Sequence, residues 1–203
     1  MSRTAGYRSA IENYIREQAR PVDKYGHQPR LYALTQQVGA GLEYDDDVVH
    51  AAAWLHDLGV FIGHRIEDPI ALAQWDHVAY TLARAPGILS DRGFPDAKVP
   101  GVLDAIRMHL PSSDPTSIES TILRDADILE QLGAVGILRA VVKTGRDTRY
   151  PDFTTVVEWL RRAAMNLPAL LRLETSKALA APKLRILEAF LAQADAEARP
   201  GLY

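Results

Sequence analysis

His56 and Asp57, within Ala52-Ala-Trp-Leu-His-Asp-Leu-Gly59, are the residues whose types and spacing speak most directly to chemistry. Two residues joined by one peptide bond offer an imidazole nitrogen and a carboxylate oxygen, two donors that one metal ion accepts together. A polar pair at the end of an apolar stretch is costly to bury unless something compensates it. His27 upstream and Asp125-Ala-Asp127 downstream extend the pair to a mixed His/carboxylate set. Such a set suits zinc, manganese, iron, cobalt or nickel better than calcium. Water in the remaining coordination positions can become a hydroxide nucleophile. Positions 125 and 127 lie about 200° apart around a helix, so both cannot face one ion. Periodicity does not choose between them.

His77 and His109 come next, each in an apolar context: Trp75-Asp-His-Val-Ala-Tyr80 and Ile106-Arg-Met-His-Leu110. They are candidates to hold a second ion bridged through Asp57, to bind a phosphate, or to protonate a leaving group. His50 is read as structural. His64 is read the same way, in a loop from which it could line a site. Arg30, Arg65, Arg107 and Arg124 are the nearest cations in sequence, each suited to gripping a phosphate or to pairing with Asp76, Glu67 or Asp104. No Gly-x-Ser-x-Gly elbow and no Gly-x-x-x-x-Gly-Lys phosphate loop occurs. Trp54, Trp75 and Trp159 are too dispersed for a nucleic-acid stacking platform and are assigned to packing.

The elements that must position these side chains are helical. Residues 7–19 carry apolar side chains on one helix face, ended by Pro21. A second helix is expected over 29–42, and a third runs from the acidic start Asp45–Asp47 to about Leu58, with Gly59 closing it. Further helices are expected from about Pro69 to Ala85, stopped by Pro86-Gly87, with 88–95 a loop; from Val99 to His109; from Ser117, a capping residue, to Leu132; and over 137–142, 153–165 and 184–196. Gly133 and Gly136 break or tightly pack the turn between the third and fourth of these later segments. There is no alternating strand pattern, no hairpin turn, no repeat and no clear linker. The expected fold class is all-α in a single domain spanning 1–203, with a metal-site core over about 22–145 and C-terminal helices over about 152–197.

Bulk properties narrow the function classes. The 203 residues suffice for a sizeable core. A net charge of −3 gives no reason to expect nucleic-acid binding. The absence of cysteine excludes disulfides, thiolate nucleophiles and Cys-ligated zinc. It also suits the cytoplasm, as does an N-terminus with no apolar signal core. No apolar run is long enough to cross a membrane.

His27, then His56-Asp57 in Trp-Leu-His-Asp-Leu-Gly, then Leu123-Arg-Asp-Ala-Asp-Ile-Leu129, together resemble the HD domain superfamily of metal-dependent phosphohydrolases, whose pattern is His, His-Asp, Asp. The final Asp of that pattern commonly sits in Ala-Asp-x-Leu, matching Ala126 to Leu129, so the resemblance favours Asp127 over Asp125. The stretch from Asp125 to Ile137, Glu174-Thr-Ser-Lys-Ala and Leu187 to Gln193 are similar to a subgroup of small stand-alone bacterial members, so the likeness covers most of the chain.

The resemblance implies an HD-type helical bundle with His27, His56, Asp57 and Asp127 as metal ligands and His77 and His109 as catalytic residues or second-metal ligands. It also implies one divalent transition metal (Mn, Fe, Zn, Co or Ni), with room for a second. A nucleotide or other small phosphoester is the expected substrate, gripped by Arg30 and Arg65, with no nucleic-acid or membrane partner and with homo-oligomerisation left open. The sequence departs from the common subgroup where Gln28-Pro29 follows His27, and no Lys follows the His-Asp pair. Two other activities fit the same residues: an HD-type di-iron oxygenase using His77 and His109, and a catalytically silent ligand-sensing domain.

Overall fold

The computed structural model describes residues 3–145 and 150–198, with side-chain environments from residue 6 onward except at Asp23. Ten α-helices order the described residues: α1 (Arg3–Gln18), α2 (His27–Val38), α3 (Asp46–Leu55), α4 (Pro69–Leu72), α5 (His77–Ser90), α6 (Val99–Arg107), α7 (Ile118–Glu130), α8 (Gly133–Val141), α9 (Phe153–Asn166) and α10 (Glu174–Glu197). Among the described residues there is no strand beyond an isolated bridge between Ile62 and Arg65. None of these helices is long and apolar enough to cross a membrane. The fold is all-α, as the periodicity predicts.

Two compact units divide the chain, Met1–Arg124 and Asp125–Tyr203. In the first, α3 is the central element. Every residue from Val48 to Leu55 is buried, and α1, α2 and α6 pack around it. Ala51, Ala52 and Ala53 make this possible, because small side chains let neighbouring axes approach from several directions while helix propensity stays high. Asp45 caps the helix by accepting from the Asp47 N–H at 3.0 Å, and the acidic first turn complements the helix dipole. Fully buried Ile11, Ile15, Leu31, Leu58, Phe61, Leu89 and Ile106 fill the space around it, each contributing roughly 1.5–3 kcal/mol of hydrophobic burial.

In the second unit, α8, α9 and α10 pack on one another. Gly133 opens α8 at φ +71°, and a Cβ there would lie 3.1–3.2 Å from the Lys183 stem and Cα, so glycine is needed for both conformation and approach. Asp125, fully buried, accepts from the N–H groups of Arg172 (3.0 Å) and Leu173 (2.9 Å) and so anchors the segment that leads into α10. Ser117 Oγ accepts from the Ser120 N–H at 3.2 Å, the capping role its sequence context suggests for α7.

Several boundaries differ from expectation. The segment 69–85 is two helices broken at 73–76, where Asp76 starts α5 by accepting from the Ala79 N–H at 2.8 Å. α5 then runs through Pro86 to Ser90, so residues 88–90 are helix rather than loop. α10 likewise begins ten residues before Leu184 and passes through Pro182. Both prolines sit on exposed faces. There the missing N–H costs least, and buried Ala85 and Leu89 in α5, or Ala180 and Leu187 in α10, hold the helix on either side.

Candidate metal centre

Every candidate ligand in the first unit stands at a helix boundary. His27 is the first residue of α2, His56 is the C-cap of α3, His77 is the first residue of α5, and His109 lies two residues beyond α6. Asp57, just past α3, has φ −97° and ψ 14°, the sparsely populated bridge region frequent at active sites. The chain then turns at once into a 3₁₀ segment, Leu58–Val60, anchored by the Val60 N–H donating to the Asp57 carbonyl at 2.9 Å. The sequence places His77 and His109 within helices; the structure puts both at helix ends, where the backbone turns and the imidazole can swing inward.

The imidazoles form an arc around one carboxylate. Ring centroids are 5.2 Å apart for His27–His56, 4.9 Å for His56–His109 and 5.9 Å for His77–His109. Asp57 Oδ2 lies 3.6 Å from His56 Nε2 and 3.8 Å from His27 Nε2, while its Oδ1 lies 3.9 Å from His77 Nε2. The two carboxylate oxygens thus face two different groups with metal-competent spacing: His27, His56 and Asp57, then Asp57, His77 and His109.

The backbone fixes which ring nitrogen each group presents. His56 Nδ1 is 3.0 Å from the Ala53 carbonyl and His109 Nδ1 is 2.7 Å from the Ile106 carbonyl. A carbonyl only accepts, so in each ring Nδ1 carries a hydrogen, and Nε2 is the nitrogen that offers a lone pair when the ring is neutral, the arrangement that prepares a ligating histidine. His27 Nε2 and His56 Nε2 stand 3.2 Å apart. Two nitrogens roughly 2.1 Å from a shared ion in tetrahedral or octahedral geometry would be about 3.0–3.4 Å apart. The donor set and its spacing therefore fit a divalent transition metal.

The electrostatics agree. Burial alone would raise the Asp57 carboxyl, but the surrounding His56, His27, His109 and His77 reverse that and hold it well below the usual carboxylate range. The carboxylate is ready to ligate at any physiological pH, and among the described residues no Lys or Arg pairs with it.

The remaining candidates are placed as follows. Asp127 lies on α7 in the second unit, half-buried. Asp125 accepts from two backbone amides just ahead of α10. Arg30 is exposed on α2, and Arg65 is half-buried in the turn after Phe61. Arg107 faces Asp104 at 3.9 Å, one of the pairings foreseen, whereas Arg124 donates to the Pro111 carbonyl at 2.6 Å. His50 is structural, 2.9 Å from Glu12. His64 joins neither metal-competent group. Its ring nitrogens meet Tyr80 OH at 3.0 Å and Gln18 Oε1 at 2.9 Å, beside a groove of about 630 Å³ lined also by Tyr14, Arg20 and Arg84. Trp54 is core, as expected, but Trp75 does more than pack: its Nε1–H donates to the Gly59 carbonyl at 2.8 Å. Nothing in local spacing announces that bond, since it joins residues on two separate segments.

Comparison with known proteins agrees with this fold. Among solved structures, Bacillus subtilis YpgQ superposes with a TM-score of 0.74 at 20% identity, covering 97% of each chain. A structure of YpgQ in complex with ADP gives 0.72 at 21% identity, again over 97% of each chain. A predicted HD superfamily hydrolase from an uncultured Thermotogales bacterium gives 0.63 at 26% identity, covering 92% of this chain and 90% of that one. Comparison with curated protein sequences finds no match. The HD domain sequence profile matches residues 25–132, just over half the chain and the stretch that holds all six residues of the expected His, His-Asp, Asp pattern and its two additional histidines. The chain belongs to the HD domain family.

Proposed function

We propose that this protein is a metal-dependent phosphohydrolase acting on a nucleotide or another small phosphoester. The observation that carries the proposal is the position of Asp57, with one carboxylate oxygen toward His27 and His56 and the other toward His77. In this reading His27, His56 and Asp57 hold one divalent ion, and Asp57, His77 and His109 hold a second beside it. Asp127 is the fourth ligand that the family pattern supplies, and Arg30 and Arg65 remain the sequence candidates for the substrate phosphate. Bound metal supplies Lewis acidity toward a phosphoryl oxygen and a water acidic enough to act as nucleophile near neutral pH.

The protein's own part is preorganisation. The carbonyls of Ala53 and Ile106 hold the rings of His56 and His109 in ligating tautomers. For His109 this leaves Nε2 as the nitrogen directed toward the site. Its ring is buried, whereas the His77 side chain is 28% exposed, the more open of the two toward a substrate. Hydrolase chemistry is supported by the naming of the Thermotogales neighbour, and a nucleotide substrate by the ADP complex of YpgQ.

The test is elemental analysis of protein purified without chelator, followed by turnover of a nucleotide and phosphoester panel with the metal found. Metal-dependent phosphate or pyrophosphate release is expected, and its loss in Asp127→Ala would support that residue as a ligand. The same two-group site also favours a second reading, a di-iron oxygenase. Two irons per chain with oxygen-dependent turnover and no phosphate release would replace the hydrolase.

A further inference from the structure

Beside the Asp57–His77 pair, the backbone just after Asp57 packs closely against the start of α5. Gly59, two residues after Asp57, is buried, and it makes three contacts with α5 and the turn that precedes it. Its N–H donates to Thr81 Oγ1 at 3.2 Å. Its carbonyl accepts from Trp75 Nε1–H at 2.8 Å. Its Cα lies so close to His77 that a Cβ would stand 2.6 Å from the His77 carbonyl oxygen and 2.9 Å from its Cα. Those are backbone atoms and cannot swing aside, so only glycine admits this approach.

Thr81 completes the connection. It is fully buried, and its hydroxyl donates to the His77 carbonyl at 2.8 Å while accepting from Gly59. A Thr hydroxyl bonded to the carbonyl four residues back is common in helices and alone would signify little. Here the same oxygen also receives the Gly59 N–H, so one side chain joins the backbone of the Asp57 segment to the backbone of His77. On the other side, the Asp57 carbonyl is tied into the same 3₁₀ turn through Val60.

We propose that Gly59, Thr81 and Trp75 are positioning residues that fix the Asp57–His77 distance and thereby create the second half of the metal centre. The inference rests on the two-ion reading given above. His27 and His56 reach Asp57 through α2 and α3 and need no part of this contact, so the first ion is held independently of it.

The experiment is titration with Mn²⁺ by calorimetry, with electron paramagnetic resonance to detect a coupled manganese pair, on wild type, Thr81→Val, Thr81→Ser and Trp75→Phe. Thermal unfolding in chelator verifies that each variant folds. Wild type should take two equivalents and show the coupled signal. Thr81→Val keeps the shape and removes the hydroxyl. It should weaken the second equivalent by about 10- to 100-fold, the usual effect of losing a residue that orients a ligand, and abolish the coupled signal. The first equivalent should stay within about threefold. Thr81→Ser should restore both readouts, and Trp75→Phe should weaken the second equivalent by a smaller factor. If Thr81→Val binds both ions like wild type, or loses both equally, the positioning role is overturned; should that variant not fold, Trp75→Phe decides by the same criterion. A wild type that takes only one equivalent sinks the two-ion reading and this inference with it.

Discussion

The two ends of α3 are both acidic, and they do opposite things. At the N-terminal end, Asp45, Asp46 and Asp47 are met by protein cations. Arg8 pairs with Asp46 and Asp47, and Lys98 reaches Asp45 at 2.8 Å and Asp47 at 2.6 Å, while Tyr32 and Gln36 donate to Asp46 at 2.9 and 2.7 Å. Burial would raise Asp47, but the hydrogen bonds from Lys98 and Arg8 outweigh it and hold its pKa at about 2. At the C-terminal end, Asp57 is met by imidazoles whose lone pairs, at His56 and His109, point away from the carbonyls that orient them. The first end is closed by the protein itself and anchors the helix. The second assembles donors around a common point and asks for a cation from outside. Counting carboxylates does not separate a structural cluster from a metal centre; the identity of their partners does.

The sharpest way to break this contrast is at Asp57. Asp57→Ala should strip both ions by elemental analysis and lower phosphoester turnover on the order of 10³-fold, since it removes metal assistance worth several kcal/mol. Retention of full metal occupancy would end the metal-centre assignment. Added metal should also raise the thermal stability of wild type, by about 2.7 kcal/mol at a hundredfold excess over Kd, and should leave His56→Ala far less affected.

At the other end, Arg8→Met should cost about 1–3 kcal/mol by urea unfolding at pH 7 and leave metal content unchanged. Its pH dependence has a definite sign. Asp47 has a folded pKa below its unfolded value of about 3.9, so its contribution is fully present above that value. It is lost as pH falls through about 2, so wild type and Arg8→Met should converge there. Equal losses of metal from both ends would erase the distinction.

Asp125→Asn sharpens the comparison further along the chain. It should cost about 1–2 kcal/mol, the scale of a weakened buried hydrogen bond, again with metal retained. The smallest effect is expected for Arg161→Ala, which breaks an exposed pair with Asp195 at 2.9 Å and should change stability by at most about 0.5 kcal/mol.

The candidate site was legible in the sequence to the extent that its chemistry is carried by residue type. The pair His56-Asp57 stood out because a polar pair in an apolar context is costly to bury, while its assembly with His27 and Asp127 into a ligand set, and the roles of His77 and His109, rested mainly on the family resemblance. The helix pattern was legible from periodicity. Prolines misled it: Pro86 looks like a stop, but whether proline ends a helix depends on which face it occupies, and tertiary burial of Ala85 and Leu89 decides that. The choice between Asp125 and Asp127 was invisible to periodicity, because what occupies Asp125 is a pair of backbone amides 47 and 48 residues away. Thr81 and Gly59 were missed for the same reason. Their pairing is made across 22 residues by backbone approach, which leaves no pattern in either segment.

Trp75 gives the molecule an optical consequence. Its indole N–H is bonded to the backbone of the segment that carries Asp57, whereas Trp54 is buried on α3 and Trp159 stacks edge-on against Tyr150 at 6.0 Å in the other unit. A chain in which Trp54 and Trp159 are replaced by Phe therefore carries a single tryptophan, bonded to the backbone two residues from Asp57 and excitable apart from the eight tyrosines. Its quenching by a paramagnetic ion turns the filling of the centre into a signal readable in solution, without substrate and without turnover.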